Sequence, residues 1–215
     1  MKLVTPVKDL KFAKYPLGDV TQFFGENPKL YASMGLASHN GIDIVRPWGE
    51  HMFACADGVI CDLKDDPTGY GMHIRILEDC GNGEYREWTY GHMSYINVKL
   101  GQKVSAGQYV GNIGNTGFVV SNSTGNGFWD YNPYSGTHVH FGLRRIYKSS
   151  TGWQYPMGGV KVHVHDYNNG FKGAIDPLPF FRPTELRSSK ILALASVRQN
   201  TTLFQFSQIL RGIGL

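Results

Sequence analysis

Between positions 98 and 117 the chain sets glycines at 101, 107, 111, 114 and 117, with short apolar steps between them. Such spacing reads as a series of tight turns, and it commits the chain to a compact β-fold. Composition agrees: 27 glycines and 13% aromatic residues in 215 positions describe a turn-rich, mostly β protein. No run of about 18 apolar residues occurs, so no membrane-spanning helix and no stable membrane insertion are expected.

Taken in order, residues 1–17 read as a polar lead-in with Pro6 and Pro16 as breakers. Residues 20–25 alternate apolar and polar and end in glycine, which predicts a short strand and turn. Residues 26–37 read as a loop with one helical turn. Residues 49–63 predict two strands around the Asp57-Gly58 turn. Residues 69–77 and 86–92 predict an antiparallel pair that leaves His92 at a strand end. The polar, aromatic stretch 118–137 is long for a loop in a compact domain and reads as a wall of a binding groove. Residues 146–172 read as a Gly/Tyr/Trp-rich insertion, and residues 174–180 as a last edge segment closed by Pro183.

The chemistry concentrates in a few histidines. Residues 136–143 alternate β-branched or aromatic with polar residues, a strand pattern. His138 and His140 then share one face, and Val139 and Phe141 the other. Upstream, His39 and Asp43 are four apart, and the Ile-x-Ile-Val run beside them favours an extended backbone with both side chains on one face. Gly41 between them leaves its side of the backbone clear for an ion. A catalytic zinc takes three protein ligands from His, Asp, Glu or Cys and keeps a fourth position for water. His39, Asp43 and one histidine of the 138/140 pair would supply such a set. His92 and the other member of the pair are then the available acid/base groups.

His39-x-x-x-Asp43, Tyr90-Gly91-His92-Met93 and His138-x-His140 resemble the three ordered motifs of the lysostaphin/LytM-type zinc endopeptidases. Phe23-Phe24-Gly25 resembles that family's entry strand, and residues 98–117 its glycine-spaced segment, so the likeness covers about residues 18–145. The resemblance implies an antiparallel β-fold of the duplicated-hybrid-motif type, with groove-forming loops around the sheet. It implies Zn²⁺ held by His39, Asp43 and His140, with His92 and His138 as catalytic histidines beside the metal. It also implies hydrolysis of peptide cross-bridges in bacterial peptidoglycan. On this reading residues 18–183 form the peptidase domain. His51, His73, His163 and His165 are left as structural or surface residues.

Charge and cysteines bound the remaining classes. Arg187, Lys190, Arg198 and Arg211 face Glu185 alone in residues 184–215, so this tail carries +3 of the net +4. The body is nearly neutral, which argues against nucleic acid as a partner. The tail contains a helical candidate over 184–197 and an amphipathic stretch after it, able to dock on the domain or bind an anionic surface. Cys55, Cys61 and Cys80 match no zinc knuckle and read as three free thiols. The N-terminus shows no secretory signal, so the expectation is cytoplasmic synthesis, a phage or prophage lysin, and action at the bacterial cell wall as a monomer. The rival readings are a non-catalytic activator of another wall hydrolase, or a passive β-scaffold. Neither requires all five site positions to be filled.

Overall fold

The computed structural model describes residues 3–119 and 135–181. The chain divides into a unit of Met1–Leu178 and a second unit of Pro179–Leu215. The expected helical tail, and most of the expected groove wall at 118–137, lie outside the described residues.

In chain order the elements are β1 (Val20–Gln22), α1 (Pro28–Ala32), β2 (Ile42–Ile44), β3 (His51–Phe53), β4 (Gly58–Lys64), β5 (His73–Gly81) and β6 (Glu84–Gly91). There follow β7 (Met93–Ile96), β8 (Lys103–Val104), β9 (Tyr109–Ile113), β10 (Val139–Gln154) and β11 (Lys161–Val164). All strand pairings between these elements are antiparallel. The large sheet runs β1-β2-β10-β6-β5-β4-β8, with β11 pairing β10, and a small sheet runs β3-β9-β7. This is the mostly β, antiparallel architecture that the glycine spacing predicts.

Period-two alternation divides the large sheet into two faces. Ile42 and Ile44 on β2, Val139, Phe141 and Leu143 on β10, and Trp88 and Tyr90 on β6 are all buried on one face. Trp88 stacks on Phe141 at 5.5 Å between ring centroids, and Tyr90 meets Phe141 edge-on at 5.2 Å. Removing an aromatic side chain from such a core costs about 3–5 kcal/mol, so Phe141→Ala is a severe change. The Tyr90 hydroxyl accepts from Cys55 N at 2.8 Å and donates to Phe53 O at 3.0 Å, tying β6 to the backbone at β3. The opposite face carries Asp43, His140, Gly142, Arg144, Thr89, Glu87 and Arg75, and it is the floor of a groove of about 1650 Å³.

Several local expectations change in detail. The β5–β6 hairpin closes through Asn82 and Gly83, both with positive φ (56° and 77°), the conformation a two-residue type I′ turn requires. Strands β3 and β4, by contrast, do not pair with each other. The Asp57 carboxylate accepts from Ala106 N at 2.8 Å, and the chain passes there from the small sheet to the large one. Residues 174–180 form no edge strand. Ala174 makes one bridge to Arg144, and Pro177 and Pro179 have no N–H with which to continue a ladder, so the chain turns into a 3₁₀ segment at Leu178–Phe180.

The lead-in is woven into the domain. Val4 N donates to Cys55 O, Phe53 N donates to Pro6 O, and Val7 is fully buried. The segment expected as an insertion from residue 146 begins inside β10, which runs on to Gln154 before β11 pairs back on it. Cys55 and Cys61 are buried free thiols and Cys80 is an exposed one.

Candidate metal centre

Three neighbouring segments deliver the site. Strand β2 pairs β10 with Asp43 opposite His140, and β10 pairs β6 with His140 opposite Gly91, one residue before His92. His39 lies in the loop entering β2, where His39 N donates to Glu26 O and Gly25 N donates to His39 O. The strand itself begins only at Ile42, so of the two expected ligands here Asp43 lies on β2 and His39 lies in the loop before it. Gly41, expected to leave room for an ion, leaves room for the His140 ring. A Cβ there would lie 2.6 Å from His140 Cε1 and 2.8 Å from Phe141 O, so no other residue fits without moving the ring.

His39 Nε2, Asp43 Oδ1 and His140 Nδ1 form a nearly equilateral triangle. Its edges are 3.1 Å between His39 and His140, 3.1 Å between His39 and Asp43, and 3.2 Å between His140 and Asp43. Ligands about 2.0–2.1 Å from a tetrahedral zinc stand about 3.3 Å apart, so the triangle has the dimensions of a three-point metal seat. The three residues are the one group of three or more His, Cys, Asp or Glu side chains among the described residues placed to hold an ion. His39 Nδ1–H donates to Phe23 O at 3.2 Å, which leaves Nε2 with its lone pair toward the triangle.

Electrostatics favours the same donor set. Burial pushes the His140 imidazole below its ordinary pKa and keeps it neutral. Burial alone would raise the Asp43 carboxyl. The charges of His138 and His39 and the hydrogen bonds from His140 and His39 outweigh it and hold the group well below the carboxylate range. Once the two imidazoles have given up any ring proton facing the triangle, as metal binding requires, they and the carboxylate offer three lone pairs and one negative charge to a divalent cation.

His92 and His138 stand beside the triangle with ring centroids 4.6 Å apart. His138 Nδ1–H donates to Gly136 O at 2.6 Å, and its Nε2 lies 3.7 Å from Asp43 Oδ1. His92 Nδ1–H donates to Thr116 O at 2.7 Å. Both rings are thus fixed with Nε2 as the free nitrogen. Burial first, then the neighbouring histidines His138 and His140, push His92 well below the ordinary histidine value, so it is a neutral proton acceptor. Its backbone is left-handed at φ 61°, an unfavourable conformation for a residue with a Cβ, held by His92 N donating to Tyr70 O at 2.7 Å. His138 precedes β10 and makes a single bridge to Gly114, so the strand predicted over 136–143 starts three residues later, at Val139.

All five sequence-predicted residues therefore meet in one cluster, and Asp43, His92, His138 and His140 line the groove. Sequence reasoning missed two tyrosines. Tyr31 stacks on His39 at 5.2 Å and Tyr70 on His140 at 4.8 Å, with the Tyr70 hydroxyl accepting from Asn40 Nδ2 at 2.9 Å. Tyr31 sits in a stretch read only as loop and helical turn, and Tyr70 in one read as strand, so neither carried a signal. The other histidines stand apart. His73 is buried beside Asp62, His51 is exposed, and His165 pairs with Glu84 at 2.8 Å.

Residues 37–154 match the model of peptidase family M23, and the chain belongs to that family. Glycyl-glycine endopeptidase ALE-1 of Staphylococcus capitis is 37% identical over 142 residues, covering 63% of this chain and 34% of that protein. Peptidoglycan DD-endopeptidase ShyA of Vibrio cholerae is 33% identical over 108 residues, 50% of this chain and 20% of that protein. The chain thus spans about a third or less of the length of these relatives. Among solved structures, a zinc-containing peptidase from Vibrio cholerae is 26% identical with a TM-score of 0.48, covering 66% of this chain and 36% of that one. The catalytic domain of lysostaphin from Staphylococcus simulans is 26% identical with a TM-score of 0.43, covering 67% and 79%.

Proposed function

We propose that the chain is a zinc-dependent endopeptidase that hydrolyses peptide cross-bridges of bacterial peptidoglycan. The observation that carries this reading is the 3.1–3.2 Å triangle of His39, Asp43 and His140 with the His92–His138 pair beside it at the end of an open groove. Family membership and the printed activities of ALE-1 and ShyA support the substrate class. Those two names cover different bonds, glycyl-glycine and D,D-peptide, within one polymer.

His39 Nε2, Asp43 Oδ1 and His140 Nδ1 would hold the ion. Zinc bound there supplies Lewis acidity and brings the pKa of water down to about 7. The remaining work belongs to the chain's own groups. His92 and His138, each with Nδ1–H anchored on a carbonyl, present Nε2 to accept the proton of the attacking water and return it to the departing amine. Tyr31 and Tyr70 hold the two metal-facing imidazoles in plane by stacking on them. The groove floor, from Gly142 to Arg144, holds the substrate chain extended beside the site.

Incubating the full chain with purified walls of known cross-bridge, with and without a chelator, tests the reading. The expected result is chelator-sensitive release of fragments whose masses report one cleaved bond type. Fragment release that survives complete removal of zinc would overturn it.

A further inference from the structure

The groove floor does not run the full length of β10. Beyond Arg144, Ile146 is covered by Tyr155 and Val162 of the β10–β11 hairpin, which form with Cys61 and Leu77 a second apolar cluster. The hairpin thus folds over the floor and stops the groove. Where it does so a second cavity of about 590 Å³ opens, lined by Arg75, Arg144, Trp153, His163, Val164 and Tyr167. Arg75 and Arg144 line the main groove as well, so the same two guanidiniums border both spaces.

One buried carboxylate organises this end. Glu87 accepts from Arg144 Nε at 2.7 Å and Nη2 at 2.5 Å, and from the Tyr155 hydroxyl at 2.5 Å. Arg75 approaches the same Glu87 oxygen at 3.9 Å and Asp62 at 3.4 Å. Tyr155 in turn sets Trp153, whose ring meets it edge-on at 4.3 Å. Trp153 nonetheless stays 39% exposed and Tyr167 53% exposed.

Charge decides what such a cavity can hold. The positive charges of Arg75 and Arg144 are balanced by Asp62 and Glu87, so there is no net attraction for an anion. N–H donors remain: Arg75 Nη2 and Arg144 Nη1 have no acceptor among the described residues. Exposed aromatic rings beside unspent neutralised donors suit a neutral group with one apolar face and several oxygen acceptors. A pyranose ring has that chemistry.

We infer that the hairpin end of the groove is a saccharide subsite, in which Trp153 and Tyr167 stack a sugar ring of the wall glycan while Arg75 and Arg144 donate to its oxygens. The inference rests on the peptidoglycan reading, because the cavity shares Arg75 and Arg144 with the groove and its occupant would belong to the same polymer.

The test compares glycan-bearing cross-linked muropeptides with the same cross-linked peptide stripped of sugar. Trp153→Ala and Tyr167→Ala are surface changes that spare the buried network. Each is expected to raise KM about tenfold on the glycan-bearing substrate, with kcat unchanged and no effect on the bare peptide. Trp153→Phe should restore most of the loss. Equal losses on both substrates, or none on either, would overturn the subsite. Titrating N-acetylglucosamine tetrasaccharide into the full chain while following the Trp153 indole N–H by NMR separates the two readings. A saturable shift supports the subsite even if no peptide is cleaved, a result that would count against the peptidase reading alone. Absence of a shift, or the same shift with acetate, would refute it.

Discussion

Two buried carboxylates lie on the same face of the large sheet and do opposite things. Asp43 on β2 lies opposite His140, and Glu87 on β6 lies opposite Arg144, four residues further along β10. Asp43 is surrounded by imidazoles, which can be neutral and then leave its charge to a cation. Glu87 is surrounded by guanidiniums and a tyrosine hydroxyl, partners that never give up their protons at ordinary pH. In Glu87, burial alone would raise the carboxyl, but the charges of Arg144 and Arg75 outweigh it and lower it. The two sites therefore separate a place where chemistry is held ready from one where charge is spent on position. Permanent cations make structure; titratable neighbours make a metal seat.

The sharpest way to break the comparison is at the imidazole end. His140→Ala should remove bound zinc and abolish peptide hydrolysis, while His163→Ala leaves zinc stoichiometry at its original value. Elemental analysis of both purified variants reads this directly, and the reverse pattern would sink the ligand assignment. A step smaller, His92→Ala and His138→Ala should each keep the metal and lose rate by about 10²–10⁴-fold, the usual size of an acid/base contribution. A variant that turns over at the original rate would mark its histidine as a bystander.

Much of the imidazole end is legible in the sequence, because its parts sit on short strands whose period is two. The alternation around His138 and His140 puts both rings on one face, whereas Gly41, read as clearance for an ion, makes room for the His140 ring instead. The position of His92 is legible as a strand end, but its left-handed backbone is not, since nothing in Tyr90-Gly91-His92 announces it. The guanidinium end is almost illegible. Glu87, Arg75, Arg144 and Tyr155 come from three strands and a hairpin, and their pairing depends on register that a single sequence does not print. The Asp57-Gly58 turn misleads for a similar reason: a tight turn says where the chain bends, not which sheet it joins next.

At the guanidinium end the expected damage is to stability. Glu87→Gln leaves Arg144 without its counter-charge, while Arg75 keeps Asp62, a change that costs about 3–5 kcal/mol. For a chain of this size that lowers the thermal midpoint by about 6–20 °C. Zinc content should remain that of the parent protein, because no atom of Glu87 touches the His39, Asp43 and His140 triangle. Thermal unfolding followed by circular dichroism, paired with metal analysis, measures both. A stable variant that had lost its zinc would reverse the roles assigned to the two carboxylates.

The smallest effect tests a histidine that belongs to neither site. His73 is buried beside Asp62, donates from Nδ1 to Gly71 O at 2.8 Å, and has no hydrogen-bond partner at Nε2. Burial pushes its pKa below 6.5, with the charges of Arg75 and Lys64 acting the same way, while the Gly71 carbonyl and Asp62, 4.0 Å away, pull against them. The folded chain thus binds this proton less readily than the unfolded one. Stability from His73 is complete above about pH 6.5, and it is lost as pH falls from there toward the lower folded value, where the loss levels off. The slope cannot exceed about 1.4 kcal/mol per pH unit for one proton. His73→Phe keeps a ring in place and removes the titration, at the cost of one hydrogen bond. Its thermal midpoint should be lower than the parent's at pH 7.5, and the gap should narrow by pH 5.5, while every other histidine contributes equally to both proteins. A gap that stays constant across that range would show that His73 carries no proton-linked share of the stability.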